Sequence, residues 1–347
     1  MSARIVEADA AFVARLVPTL APDANKYTRG VCELVVGSAE YPGAAVLACG
    51  AANRMGAGYV RAYASEPAAA ALHIVQPSAV AAPFSAFSRR SHECSEHHPL
   101  ATVVGCGFPP DGEFVELALS VLRATRAPVL VDGGGLAALA TSEGRAALRA
   151  RREEGLQTVV TPHGGEAARL LKSLSSEGPG DAGTSPAEQA LLIAQTYGVV
   201  CVFKGPDTFI AAPASTGSEG LGESAGAFAA AVAGDGSPAV AITDVGSPAD
   251  IGASAGSGAA CTDAVVLAMR EGTPALAKAG TGDILAGTVG GLLAQGMPPV
   301  DACALGTFAH ARAGRLAAAD AGGELCVAAE DVLAHLPAAV ASISATA

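Results

Sequence analysis

The stretch KAGTGDILAGTVGGLLAQG, residues 278–296, sets two glycines and a threonine directly before one carboxylate, Asp283. After it, Ile284, Leu285, Val289, Leu292 and Leu293 recur at helical spacing, and Gly296 with Pro298 and Pro299 stops the pattern. The spacing predicts a helix with Gly280, Thr281 and Gly282 as the turn that leads into it. Unpaired N–H groups at such a turn, helped by the helix dipole, seat an anion, and glycine lets a phosphate come close to the backbone. Asp283 then has two readings. It complements the dipole, or it orients or deprotonates a hydroxyl while the N–H groups steady a phosphoryl group in transfer. The stretch is not a Walker loop, since the chain has no GxxxxGK[ST], and Leu285 stands where a dinucleotide fingerprint needs its third glycine.

Working outward, short apolar runs predict buried strands at 32–38, 101–107, 127–135, 156–163 and 199–205, each ending in Gly, Ser, Asp, His or Lys. Alanine-rich helical patterns lie between them at 41–53, 114–125, 143–154 and 186–197. Strands alternating with helices give a mainly parallel sheet covered on both faces, with ligands beyond the strands' carboxyl ends. Two stretches break the rhythm. Residues 85–99, SAFSRRSHECSEHHP, hold His92, Cys94, His97 and His98, which match no zinc spacing and read as a solvated loop. Residues 211–263 are rich in Gly, Ala and Ser and read as an insertion, mobile or loosely packed.

Composition sets the outer limits. The chain has 347 residues, half of them apolar, and a net charge of −12, which excludes broad phosphate neutralisation of a nucleic acid. Only four lysines occur, Lys26, Lys172, Lys204 and Lys278, so an anionic ligand must be held locally. Eight cysteines without a CxxC pair read as reduced core thiols, and the acidic N-terminal stretch lacks the pattern of a signal peptide. No apolar run reaches membrane-spanning length. The expected location is the cytoplasm, away from any membrane.

Here the motifs converge. AGTGDILAG resembles the GTGD signature of ribokinase-like enzymes, and five further motifs resemble, in order, those of the ADP-dependent NAD(P)H-hydrate dehydratases. These are KYTRG with LVVGSAEYPGAAVLA (26–30 and 34–48), GCG (105–107), TPHGGEAARLL (161–171), FKGPDTFIA (203–211) and GTFAHARAGRLAA (306–318). The resemblance implies a three-layer α/β/α ribokinase-like fold in a single domain over 1–347, with a mainly parallel central sheet and the insertion at 211–263. It implies that (S)-NADHX and (S)-NADPHX, nicotinamide dinucleotides hydrated at the ring, are dehydrated to NADH and NADPH with ADP as phosphoryl donor and Mg2+ present, releasing AMP and phosphate.

The same resemblance assigns residues. Asp283 is the base that meets the substrate hydroxyl. Gly280, Thr281 and Gly282 hold the nucleotide's phosphates, and Lys204, Gly205, Pro206, Asp207 and Thr208 form the rest of the nucleotide side. Ala44, Gly107 and His163 map onto substrate contacts. Glu166 either caps a helix or orients Mg2+ through water. His310, mid-helix in an apolar stretch, is expected to pack. Family members often form tetramers, so a homo-oligomer is expected. An epimerase domain, which needs more than the 25 or so residues before KYTRG, is expected on another chain.

Three departures stand out: DGGGL (132–136) for the family's DADAL-like run, Gly164 for a proline, and Thr273 for the asparagine of GNP. Two other readings compete. One is a ribokinase-like kinase of a thiazole or pyrimidine alcohol; the other is a nucleotide-binding relative that has lost the chemistry.

Overall fold

The computed structural model describes residues 3–89, 92–95, 98–174, 185–213, 240–242 and 264–346. The apolar runs form one sheet of strands β1 (Ala3–Glu7), β2 (Val31–Val35), β3 (Tyr59–Ala64), β4 (Val80–Pro83), β5 (Leu100–Val104), β6 (Val129–Val131), β7 (Thr158–Val160), β8 (Val200–Phe203), β9 (Thr208–Ala211), β10 (Val240–Ile242) and β11 (Ala264–Met269). Their order across the sheet is β10-β1-β11-β9-β8-β7-β6-β5-β2-β3-β4. From β8 to β4 every neighbouring pair is parallel. Antiparallel pairs join β8 to β9, β9 to β11 and β1 to β10. Strands β5 to β8 are buried at every residue, as their apolar sequences, interrupted only by Thr102 and Thr158, require of a sheet covered on both faces.

Two helical layers supply the cover. On one face lie the helices Pro42–Arg54, Thr281–Ala294, Pro299–Asp320 and Ala329–Ser344, which share a core with Leu34, Val103 and Leu267. On the other lie Gly112–Ala124, Ser142–Glu153, Gly164–Lys172 and Pro186–Tyr197, around Val35, Val131 and Val160. Local signals fix the ends of these helices. Asp111, Thr141 and Ser185 accept from backbone N–H groups at N-caps, and Gly198 ends its helix in the left-handed conformation. This is the ribokinase-like α/β/α arrangement that the motifs imply. Among the described residues no helix is long and apolar enough to cross a membrane.

The helix Thr281–Ala294 is buried from Ile284 through Ala294 because its glycines admit its neighbours' backbones. A Cβ on Gly287 would lie 2.1 Å from the Ala48 carbonyl oxygen, and one on Gly291 would lie 2.8 Å from that of Ala52. Gly290 faces the sheet, where a Cβ would stand 2.2 Å from Val103 Cγ2. This seam holds the helix against Pro42–Arg54 and over β5.

Other readings are refined. His92 is buried, not solvated: Nδ1 lies 2.5 Å from Glu33 Oε2 and Nε2 2.7 Å from the Phe87 carbonyl, so both ring nitrogens are taken. Tyr63 donates to the same Glu33 carboxylate at 3.1 Å, and the ring of Phe87 stacks on His92. The segment is thereby pinned to β2 and β3 by a paired buried charge, as burial of ionisable groups demands. His97 lies outside the described residues. Of the stretch 211–263, Val240–Ile242 pairs with β1 as β10 and 214–239 and 243–263 lie outside the described residues. Cys32, Cys49, Cys106, Cys201 and Cys303 are buried free thiols as expected, whereas Cys94 and Cys326 are exposed.

The seam makes a checkable claim. Gly287→Ala must force two backbones apart and is expected to lower stability by about 1–3 kcal/mol in urea denaturation. Gly112→Ala, where an added Cβ meets nothing within 4 Å, is expected to stay within about 0.5 kcal/mol.

Candidate active site

Four adjacent strands each deliver a polar residue within two positions of their carboxyl ends. Cys106 follows β5, Asp132 follows β6, Thr161 follows β7 and Lys204 follows β8. Parallel strands carry these onto one rim, where the amino end of the helix Thr281–Ala294 adds Asp283. Asp132 Oδ1 accepts from Lys204 Nζ at 2.7 Å and from Thr161 Oγ1 at 2.6 Å. Cys106 Sγ lies 3.8 Å from Asp132 Oδ2, and a sulfur or carboxylate oxygen from each of Cys106, Asp132 and Asp283 falls within 4.8 Å of the others. Lys204 Nζ is also 3.9 Å from Glu166 Oε2.

The electrostatics are uneven. Burial first, and then the charge of Asp132, push the Asp283 carboxyl up to about 7; the Lys204 ammonium and a hydrogen bond from Cys106 oppose the rise. Burial works against the Lys204 ammonium too, yet Asp132 and Glu166 outweigh it and hold its proton above the ordinary lysine value. Cys106 is raised well above the thiol range, chiefly by burial and then by Asp132 and Asp283, and so remains a neutral S–H group.

The turn before the helix has the form of an anion seat. Gly280 stands at φ +92°, which favours glycine, and a Cβ there would also press on Leu47 at 2.7 Å. The N–H groups of Gly282 and Asp283 find no acceptor among the described residues. Thr281 serves differently from a phosphate ligand through its hydroxyl: its Oγ1 lies 2.8 Å from the carbonyls of Leu276 and Lys278 and closes the turn. Gly282 is the point of closest approach to Lys204, since a Cβ there would lie 3.5 Å from Nζ. The buried ring of His310 lies close to the Thr281 backbone with its Nε2 unpartnered among the described residues, and burial lowers it to about 4, so it is neutral near pH 7.

The loop ahead of the turn is held from downstream. Thr273 caps the short turn Pro274–Leu276 by accepting from the Ala275 N–H, and its hydroxyl donates to Glu324 at 2.6 Å. Threonine in the place of asparagine keeps the cap, since both residue types can fill it. Lys278 Nζ donates to the Val327 carbonyl at 2.6 Å, and Arg315 donates to the carbonyls of Glu271 and Gly272. The nucleotide-side residues Gly205, Pro206 and Asp207 form the turn from β8 into β9, which Thr208 opens, and Pro206 packs so close to Gly272 that no side chain fits there. Thus the two loops expected on the nucleotide side meet.

The substrate-side expectations gather on the same rim. A Cβ on Gly107, at φ +68°, would fall 2.6 Å from Ala44 Cβ and 2.8 Å from the Tyr41 carbonyl, so the buried methyl of Ala44 lies directly under Gly107. His163 pairs with Lys204 in a parallel bridge and leaves its ring exposed. Its Nδ1 accepts from the Gly165 N–H at 3.0 Å, which leaves Nε2 to carry the neutral ring's proton. Glu166 completes a capping box by accepting the His163 N–H at 2.8 Å. Gly164, at the first helical position, removes only the preset φ that a proline would bring.

Asp132 and Thr161 were not singled out as site residues by sequence. Their signal was position alone, one residue past an apolar run. The DGGG departure is explained by packing: a Cβ on Gly134 would lie 2.0 Å from the Phe108 carbonyl, and one on Gly135 would lie 2.9 Å from Gly105 Cα. The 132–135 turn and the 105–108 turn fit only as bare backbone.

Among the described residues two places bear on a divalent cation. Cys106, Asp132 and Asp283 are close enough together to hold a cation, yet a neutral thiol suits Mg2+ poorly and the Lys204 ammonium already answers Asp132. Glu166 fits better, because one oxygen caps the helix and the other faces only His163 Nε2 at 3.5 Å. Three carboxylates, Asp132, Glu166 and Asp283, meet one ammonium, a surplus of negative charge that favours a cation brought with phosphates.

Comparison with known proteins gives the same direction. The family model described as NAD(P)H-hydrate dehydratase matches residues 32–237 and 257–337. The bifunctional NAD(P)H-hydrate repair enzyme of Mycobacterium leprae is 31% identical over 98% of this chain, which spans 57% of that relative's length. The ADP-dependent (S)-NAD(P)H-hydrate dehydratase of Xanthomonas campestris is 26% identical over 87% of this chain and 85% of its own. In fold, the chain is similar to the Bacillus subtilis ADP/ATP-dependent NAD(P)H-hydrate dehydratase crystallised with ATP and Mg2+, at a TM-score of 0.69 and 23% identity, covering 97% of this chain and 98% of that one.

The raised Asp283 carboxyl has a consequence for stability. Between its ordinary value near 3.8 and about 7 the folded state holds a proton that the unfolded state has lost, so its contribution falls as pH rises through that window. Asp283→Asn removes the burden. Thermal and urea unfolding are expected to show the variant more stable than the parent by about 2 kcal/mol at pH 8, with the difference shrinking toward pH 4.

Proposed function

We propose that this chain, which belongs to the NAD(P)H-hydrate dehydratase family, dehydrates (S)-NADHX and (S)-NADPHX to NADH and NADPH with ADP as phosphoryl donor. The observation that carries the reading is the meeting of a proton-accepting carboxylate, Asp283, with the open N–H groups of its own helix turn and the Lys204 ammonium. A hydroxide leaves poorly and a phosphate leaves well. Asp283 takes the proton of the ring hydroxyl as its oxygen attacks the terminal phosphoryl group of ADP, and AMP departs. The ring C–O bond then breaks, phosphate leaves, and the neighbouring ring carbon gives up a proton to restore the double bond.

Each further residue has a place in this scheme. Gly280, Gly282 and the N–H of Asp283 receive the phosphates, with the Thr281 hydroxyl fixing the turn. Lys204, already ion-paired, faces Gly282 and steadies charge building on the transferred group. The 205–208 turn lies beside the lead-in loop as the outer wall of the nucleotide site. The side-chain-free surface at Gly107, backed by the buried methyl of Ala44, lets the flat nicotinamide ring lie close, and His163 offers Nε2–H to it. Mg2+, held by Glu166 through water, would neutralise the phosphates.

The reaction belongs in the cytoplasm, and an epimerase activity would convert the other hydrate epimer into the one consumed here. A homo-oligomer fits as well, since Ile74, Val75 and Val80 stand exposed on the helix Glu66–Val75 and the edge strand β4. Sedimentation equilibrium is expected to give a mass above the 33.9 kDa of one chain, and Ile74→Glu is expected to lower it.

The decisive assay is the near-ultraviolet absorbance of restored dihydronicotinamide when the protein is mixed with NADH hydrate, Mg2+ and either ADP or ATP. A rise with ADP is expected, reduced about 10²–10⁴-fold by Asp283→Asn. Folded protein that binds nucleotide but gives no rise with either donor would overturn the dehydratase reading in favour of a binding protein.

A further inference from the structure

Cys106 stands in the middle of GCG, where the family usually has proline, and the scheme above gives it no task. It is fully buried, with its sulfur 3.8 Å from Asp132 Oδ2 and close to the Asp283 carboxylate. Asp132 is equally unassigned. Its Oδ1 is filled by Lys204 and Thr161, which leaves Oδ2 turned toward Cys106 and Gly282. Two carboxylates and a neutral thiol therefore share one space, with one ligand atom of each within 4.8 Å of the others, and among the described residues only one of the two carboxylates has an ammonium partner at hydrogen-bond distance.

We propose that Asp132 and Cys106 are positioning residues for Asp283: ion-paired Asp132 leaves Asp283 as the carboxylate that accepts the proton, while the Cys106 thiol, donating into the pair, limits and orients that acceptance. Like charges crowded together cannot both remain ionised at no cost, and the member without a cation is the one that protonates. A thiol that donates to the ionised form acts in the opposite sense. Environments that drive two carboxyls apart in this way divide the acid and base roles between them. The other groups facing Asp283 are Lys204 at the end of β8, with Glu166 behind it on the helix Gly164–Lys172, and neutral His310 on the Thr281 backbone. Of these only Lys204 also opposes the rise of Asp283, and its Nζ donates to Asp132 Oδ1.

The proposal rests on Asp283 being the base, and its test separates the two ideas. The Asp283 side chain is titrated by carbon NMR in protein labelled at aspartate Cγ, with Asp283→Asn identifying the signal. The acid limb of kcat/KM is measured in parallel. Cys106→Ala is expected to move both midpoints up, Asp132→Asn to move both down, each by about half a pH unit or more, and Cys106→Ser to return them toward the parent. Far-ultraviolet circular dichroism and urea midpoints confirm that each variant folds; should Asp132→Asn fail to fold, the Cys106 pair alone decides. An Asp283 titration unmoved by Cys106→Ala, or moved in the same direction by Cys106→Ala and Asp132→Asn, overturns the proposal whatever the rates do. A titration that moves as stated without the rate limb following overturns Asp283 as the base instead.

Discussion

The close approach of two helices at Gly287 and Gly291 is the constraint on which the rest depends. Without side chains at these positions, the helix Thr281–Ala294 lies against the backbone of Pro42–Arg54 at Ala48 and Ala52. Burial at that density leaves little freedom of rotation or sliding. One end of the seam is the turn with Asp283 and the other partner begins at the Tyr41–Ala44 turn, so the two sides of the proposed site are set by a single rigid contact. A catalytic group needs placement to within fractions of an ångström, and here that precision comes from packing.

On this frame the charges are arranged by strand order. Adjacent β8, β7, β6 and β5 present an ammonium, a hydroxyl, a carboxylate and a thiol in turn, and the other three all turn toward the carboxylate, Asp132. Asp283 comes from the opposite side, on a helix end, and is left out of the ion pair. A mainly parallel sheet makes such a sequence of groups cheap to build, because every strand ends at the same rim.

Much of this was legible beforehand. The buried strands, the flanking helices and the Asp283 turn follow from apolar period and glycine punctuation, with observed limits within a few residues. Strands β1, β3, β4, β9, β10 and β11 escaped notice: β4 and β10 are short and lie at the sheet's edges, β3 carries Tyr59 and Arg61 among its apolar residues, and β10 and β11 lie within or directly after the Gly-, Ala- and Ser-rich stretch. Asp132 could be quoted but not given a role, since its meaning arises from Lys204, 72 positions away. His92 reads as loop in a polar run, and only Glu33, brought by β2, explains its burial. Pair interactions across such distances leave no mark in local composition.

The anchors of the lead-in loop also bear on how the protein is made. Arg315, Glu324 and the Val327 carbonyl all lie later in the chain than the loop they hold at Glu271, Gly272, Thr273 and Lys278. During synthesis the central strands and their rim residues emerge first, and the anion seat is fixed only after the ribosome has passed Val327. A nascent chain therefore carries the carboxylates and the lysine well before it has a finished place for phosphate.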